Sequence, residues 1–183
     1  MEPLSTGLFF CYLAGMNTAE WLTRGTVWFA LLCYGAAVML QGRPSLRALT
    51  AARIVWSLGC ILFLAHVASA FQFYHHWSHT AAAEETHRQT KLETGLDFRA
   101  GIYFNYLFAA VWLADCAAWI RSGRLLQERH RAWRWFLHGY FLFMIFNSTV
   151  AFGHGIAKPF GALLCAAVAF FLMKSHGLKR APE

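Results

Sequence analysis

The sequence has few charged residues. Only 14% of its 183 residues are charged, whereas 58% are hydrophobic and 17% aromatic. A water-soluble domain usually carries about a quarter charged residues, so there is too little polar surface here to cover a soluble globule. The composition therefore predicts an all-α integral membrane protein that forms a single transmembrane helical domain, residues 1–183.

Several motifs are also missing, and each absence argues against a class of function. The five cysteines form no CxxC pair, so neither a thiolate zinc site nor a disulfide framework is expected. The sequence contains no GxGxxG or P-loop pattern and no sign of a Ser-His-Asp hydrolase or of a transporter with matched broken helices. The N-terminus lacks a basic region and a cleavage site, so we expect no cleaved signal peptide.

Hydrophobic runs predict a bundle of about five membrane-spanning helices. Residues 1–24 predict a short interfacial helix that lies on the membrane surface. Residues 42–53 are expected to be a basic loop, and residues 84–99 to be helical as far as Gly95. The spans themselves are predicted at about 26–40, 54–73, 101–120, 135–152 and 160–173.

The distribution of basic residues predicts the orientation. Eleven of the sixteen Lys and Arg residues fall in three segments, 42–53, 121–134 and the tail after 173. Five spans place these segments on one side, which the positive-inside rule assigns to the cytoplasm. The N-terminus and a histidine-rich segment, residues 74–99, are then outside, which indicates a bacterial inner membrane. This reading also explains the net charge of +7 without a nucleic-acid partner.

The chemistry is concentrated between His66 and His87, where five of the nine histidines fall. On a helix, the spacing of His75, His76 and His79 would bring three imidazoles onto one face. Neutral imidazole is the commonest protein metal ligand, so we predict a transition-metal site at the outer face of the bundle. Glu84 and Glu85 are possible further ligands or proton acceptors. The candidate histidine ligands are His66, His75, His76, His79, His87 and His154.

Nitrogen and carboxylate ligands without thiolate favour copper or zinc, with non-haem iron as an alternative. The pattern HHWSH, residues 75–79, resembles one histidine box of the membrane desaturases and hydroxylases. That family uses several boxes on the cytoplasmic side, and this chain does not supply them, so we do not assign it to the family. Haem held between histidines of facing helices is a further alternative.

Two kinds of function follow from this reading. One is a redox or metal-dependent membrane enzyme, or a subunit of one. The other is an accessory subunit of a larger membrane complex, in which the histidine-rich segment serves as a docking surface. In both cases the expected partners are the lipid bilayer and other membrane subunits or a second copy of the chain.

Polar side chains inside the predicted spans form two further groups. Asp115 and His138 lie at comparable depth near the cytoplasmic end, which predicts a pair that neutralises a buried carboxylate. For any one of these residues, the alternative is a hydrogen bond between helices worth about 1 kcal/mol or less. At about the depth of His66, three residues predict a polar pocket: Asn105, Tyr106 and Asn147.

Overall fold

The computed structural model describes residues 17–43, 45–122 and 131–177. Every regular element in these ranges is a helix, which confirms the predicted all-α class for this part of the chain. The helices are α1 (Thr18–Gln41), α2 (Leu46–Ala70), α3 (His79–Thr94), α4 (Gly101–Ser122), α5 (Arg131–Phe146) and α6 (Ala157–Gly177). Short π-helical turns extend α2 over Phe71–His75 and α5 over Asn147–Ala151.

Four of these helices are long and apolar enough to cross a membrane. They cover Thr18–Gln41, Leu46–His75, Gly101–Arg121 and Ala157–Lys174. Their outward faces carry large exposed apolar side chains such as Phe29, Ile54 and Leu163, which suits contact with lipid. The helix over 131–151 is also long, but its arginines, a histidine and an asparagine make it less apolar.

The beginnings of the first two helices correct the predicted boundaries. Residues 1–16 of the predicted interfacial helix lie outside the described residues, and residues 18–24 belong to α1 instead. The reason is a capping box, in which Glu20 N donates to the Asn17 side chain at 2.9 Å and the Glu20 carboxylate faces Asn17 N. The loop predicted over 42–53 is shorter in the structure, because Ser45 caps α2 and the helix begins at Leu46.

The chain turns sharply between α2 and α3. His76 and Trp77 both adopt the left-handed region, with φ angles of 48° and 57°. Ser78 then caps α3 by accepting a hydrogen bond from Ala81 N at 3.2 Å. At its other end, α3 stops at Gly95, whose φ of 73° is favourable for glycine. The prediction that this segment is helical as far as Gly95 is confirmed.

The helices other than α3, namely α1, α2, α4, α5 and α6, alternate in direction along the chain. α1 and α6 run parallel, since Trp28 packs on Phe160 and Gly35 faces Leu164. Consecutive helices of this set run antiparallel. For α1 and α2 the contacts are Thr23 with His66 and Tyr34 with Trp56. For α2 and α4 they are Phe63 with Phe108 and Trp56 with Trp119. For α4 and α5 they are Phe104 with Tyr140 and Asp115 with Trp133. For α5 and α6 they are Leu142 with Cys165 and Thr149 with Gly161.

This alternation gives the bundle two ends. We call the end that carries α3 the α3 end. The opposite end is called the basic end, because exposed cations lie there in the first or last turns of the helices or just beyond them: Arg43, Arg47, Arg121 and Lys174.

An aromatic core lies where α1, α2, α4 and α5 meet. Trp56 is fully buried, and its ring centre lies 5.3–5.8 Å from those of Tyr34, Trp112 and Phe141. Tilted and offset aromatic pairs contribute about 0.5–1.5 kcal/mol each beyond their buried area. Gly59 permits this approach, because a Cβ atom there would lie 2.9 Å from Trp112. The core therefore fixes the relative positions of the helices that carry the candidate site.

Candidate functional site

The histidine-rich segment is not one continuous helix. The π-helical turn ends at His75, His76 is in the left-handed conformation, and α3 begins at His79. The spacing argument that would place these three imidazoles on one helical face is therefore wrong. His76 is exposed, whereas the His75 ring packs edge-on against Phe71 with ring centres 5.7 Å apart.

Two of the candidate histidines are hydrogen-bonded to neighbouring helices. His66 Nδ1 donates to the carbonyl oxygen of Thr23 on α1 at 2.7 Å. His79 Nδ1 shares a hydrogen bond of 2.9 Å with the hydroxyl of Tyr106 on α4, and Tyr103 packs beside the same imidazole. These contacts use one ring nitrogen of each histidine to join helices at the α3 end.

Two further candidates contact carboxylates at the two sides of α3. His87 Nε2 donates to Asp97 Oδ1, which lies in the segment that connects α3 to α4. His154, in the turn between α5 and α6, places Nε2 at 3.6 Å from the Glu93 carboxylate. The hydrogen bond from His87 and the nearby charge of Lys91 lower the pKa of Asp97, so this carboxylate is ionised at neutral pH.

The two candidate glutamates behave differently from each other. Glu84 is exposed, whereas Glu85 forms a bidentate ion pair with Arg88 at 2.6 and 2.8 Å. The guanidinium of Arg88 lowers the pKa of Glu85, with smaller contributions from Gln89 and from the charge of nearby His75. The carboxylate of Glu85 is thus already paired with Arg88, a cation on the same helix.

These contacts direct the predicted ligand side chains to different parts of the bundle. Within 17–43, 45–122 and 131–177, no three His, Cys, Asp or Glu side chains lie close enough to hold a metal ion. Nothing in the described geometry supports the predicted copper, zinc or iron site, and metal or haem binding stays a prediction from the sequence. What the arrangement does provide is a set of separate polar contacts that attach α3 to the bundle.

The predicted polar pocket is not assembled from its three residues. Asn105 is exposed on α4, and the Tyr106 hydroxyl is directed to His79. Asn147 donates from its side chain to the carbonyl oxygen of Phe143 in its own helix at 2.8 Å. Among the contacts of the described residues, none joins these three side chains.

Asp115 and His138 are both buried near the basic end, as their predicted depth requires. Asp115 accepts a hydrogen bond of 3.1 Å from the indole nitrogen of Trp133, and it is only 1% exposed. His138 Nδ1 lies 3.3 Å from the hydroxyl of Tyr34 on α1. Sequence reasoning missed these contacts with Trp133 and Tyr34. An indole or a phenol in a membrane helix is usually assigned to the membrane interface, and only the helix packing shows its polar atom directed inward.

A cavity lies beside α3. It has a volume of about 300 Å³ and lies between α3 and the turn before α6, with Arg88, Glu93, Phe152 and His154 among its lining residues. Its charged walls are already engaged in the Arg88 and His154 ion pairs described above. The cavity therefore belongs to the contacts that hold α3.

Comparison with known proteins provides no further guide to the site. No family model, no curated protein and no solved structure matches this chain.

Proposed function

We propose that this chain is an accessory subunit of a larger membrane assembly in a bacterial inner membrane. In this proposal α3 lies outside the cytoplasm and presents a docking surface for another membrane subunit. The observation that carries the proposal is that most of the candidate histidines form polar contacts within the bundle. Four of the six candidate ligands contact other parts of the bundle, namely His66, His79, His87 and His154.

The orientation rests on α5 acting as a fifth span. α5 and its π-helical turn comprise 16 and 5 residues, which gives about 30 Å at 1.5 Å per residue. Leu137, Phe141 and Ile145 are buried on it, so it packs as an integral part of the bundle. Five spans bring the basic residues that follow or begin successive helices to one end of the bundle. The positive-inside rule then assigns this basic end to the cytoplasm.

The docking role is supported by aromatic side chains around α3. Trp77 is 65% exposed, and its indole nitrogen donates to the side chain of Gln72 at 2.8 Å. Its backbone is in the left-handed region. Phe98 and Tyr103 are also exposed nearby. A left-handed conformation in a bulky residue is rare and needs support from its surroundings. Exposed, rigidly held aromatic groups are typical anchors of protein interfaces.

A photo-crosslinking experiment tests this docking role. A photoreactive amino acid replaces Trp77, and a matched control replaces Leu163, which is equally exposed on the lipid-facing side of α6. After irradiation of native membranes, we expect one adduct of constant mass from position 77 and only lipid adducts from position 163. A chain that purifies as a monomer and gives the same adducts at both positions would contradict the proposal.

Elemental and optical analysis of the same purified protein distinguishes the metal and haem alternatives. The accessory role predicts no stoichiometric copper, zinc or iron after purification without chelators. Stoichiometric metal that is lost in the His75→Ala, His79→Ala double variant would replace the proposal by a metal-dependent function. A Soret band that His66→Ala abolishes would replace it by haem binding.

A further inference from the structure

A groove on the outer surface of α2 and α4 is separate from the histidine contacts. It has a volume of about 530 Å³ and is open along its length to the surroundings of the bundle. Its α2 wall includes Ile54, Leu58 and Ile61 beside the polar Ser57, and its α4 wall includes Trp119 and Ile120. These aliphatic side chains are exposed in the isolated chain, Ile120 by 85%. The walls therefore suit an apolar chain that lies along the groove.

Cationic groups collect at one end of this groove, the basic end. The guanidinium carbon of Arg53 lies 5.6 Å from the ring centre of Trp119, which holds this cation at the edge of the groove. Arg47 lies seven residues before Ile54, so it shares the same face of α2, about 10 Å closer to the helix start. Arg121 directly follows the groove residue Ile120 near the end of α4 and is exposed, so it adds a third cation at this end of the groove.

We propose that this groove binds an anionic phospholipid from the leaflet at the basic end. One acyl chain lies against Ile54, Leu58 and Ile61, and the phosphate lies among the guanidinium groups of Arg47, Arg53 and Arg121. Guanidinium groups recognise phosphate through paired hydrogen bonds, and basic pockets between membrane helices favour anionic headgroups.

The positions of the arginines favour an anionic phospholipid in the groove over a second copy of the chain. A symmetric contact between two such grooves would bring the arginines of both copies together, and like charges repel strongly in a low-dielectric environment. An anionic lipid neutralises the same cations and supplies the apolar chain that the walls accommodate. This inference does not depend on which side of the membrane the basic end faces.

Fluorescence quenching by brominated lipid tests the proposal. The full chain is reconstituted in phosphatidylcholine nanodiscs, and phosphatidylglycerol with brominated acyl chains is added in increasing mole fraction. Trp119 lines the groove, so the quenching that disappears in Trp119→Phe reports lipid in the groove. Mass spectrometry of the lipid retained by the protein after mild extraction provides a second measurement, which does not depend on tryptophan.

Charge and steric variants then define the site. Each of Arg47→Gln and Arg53→Gln should weaken phosphatidylglycerol binding about fivefold, as expected for one cation near an anionic membrane surface. Lys174→Gln removes an exposed cation at the same end, on α6, and should leave binding unchanged. Leu58→Trp fills the groove and should abolish both the Trp119-dependent quenching and the retained lipid.

Three results would overturn the proposal. The first is equal Trp119-dependent quenching by brominated phosphatidylcholine and phosphatidylglycerol, which would mean that the groove meets only bulk lipid. The second is an equal effect of Lys174→Gln and the two arginine variants. The third is a change of oligomeric state in Leu58→Trp without loss of retained lipid, which would assign the groove to a protein contact.

Discussion

Replacing Gly59 by alanine should destabilise the bundle through a defined steric conflict. A Cβ atom at this position would lie 2.9 Å from Trp112 and 3.1 Å from the Cβ of Cys33. Favourable contacts between carbon atoms lie at about 3.5–4.0 Å. The Trp112 ring cannot retreat easily, because it is fully buried and its centre lies 4.9 Å from that of Phe141 and 5.8 Å from that of Phe63.

The expected size of this effect follows from two opposing contributions. Overpacking a well-packed core costs about 1–3 kcal/mol, whereas the higher helix propensity of alanine returns about 0.5–1 kcal/mol. The central values of these ranges leave a net loss, so we expect Gly59→Ala to lower the free energy of unfolding by about 1 kcal/mol. Gly139→Ala is the matched control on α5, because no atom lies within 4 Å of a Cβ there. It should raise the free energy of unfolding by up to about 1 kcal/mol.

Reversible unfolding in mixed micelles, followed by tryptophan fluorescence and by circular dichroism, measures both variants under the same conditions. A Gly59→Ala protein as stable as Gly139→Ala would refute the packing described at the junction of α1, α2 and α4. Equal destabilisation by both variants would instead indicate a general effect of alanine on the helices.

Three further predictions use the same samples. Gly161→Ala should cost more than Gly59→Ala in the same titration, because the new Cβ would overlap the Thr149 side chain in the π-helical turn; an equal or smaller loss would contradict this contact. Tyr34→Phe should cost about 1 kcal/mol by removing the buried contact with His138, whereas Tyr103→Phe, at an exposed site, should cost close to nothing. The hydrogen bond from His87 lowers the pKa of Asp97, so the contact stabilises the α3 end above the unfolded pKa near 4 and is lost as the pH falls through the lowered value. Carboxyl NMR of ¹³C-labelled aspartate should show Asp97 titrating below that value in the wild type and higher in His87→Gln; identical titrations would argue against the contact.

The helical class and four membrane-length helices could be predicted because they depend on hydrophobic runs alone. The helix beginnings could not be read from hydropathy, since capping is local and polar. Asn17 and Glu20 form a readable capping box, but they precede the apolar run that marked the predicted span at 26–40. In the same way, Ser45 starts α2 within residues that are basic and were therefore expected to form a loop.

The candidate site was harder to predict, because a single backbone feature decides it. A run such as HHWSH has no glycine or proline to mark a turn, yet His76 and Trp77 take left-handed φ values that few non-glycine residues adopt. The partners of the histidines are also distant in the chain. His154 contacts Glu93, and His66 contacts Thr23, so only the packing of the helices brings them together. Spacing along one helix cannot reveal contacts of this kind.

The two ends of the bundle can be assigned separate roles because a rigid core lies between them. Trp56 and Phe141 stack in this core with ring centres 5.3 Å apart, and a densely packed interior of this kind resists small displacements. The lipid binding proposed at Arg47 and Arg53 and the docking proposed at Trp77 would therefore act on opposite ends of helices that move little relative to each other. It follows that Leu58→Trp should leave the crosslink from position 77 unchanged. A crosslink lost in Leu58→Trp would mean instead that the lipid site and the docking surface are coupled through α2 or α4, the two helices that line the groove and extend to the α3 end.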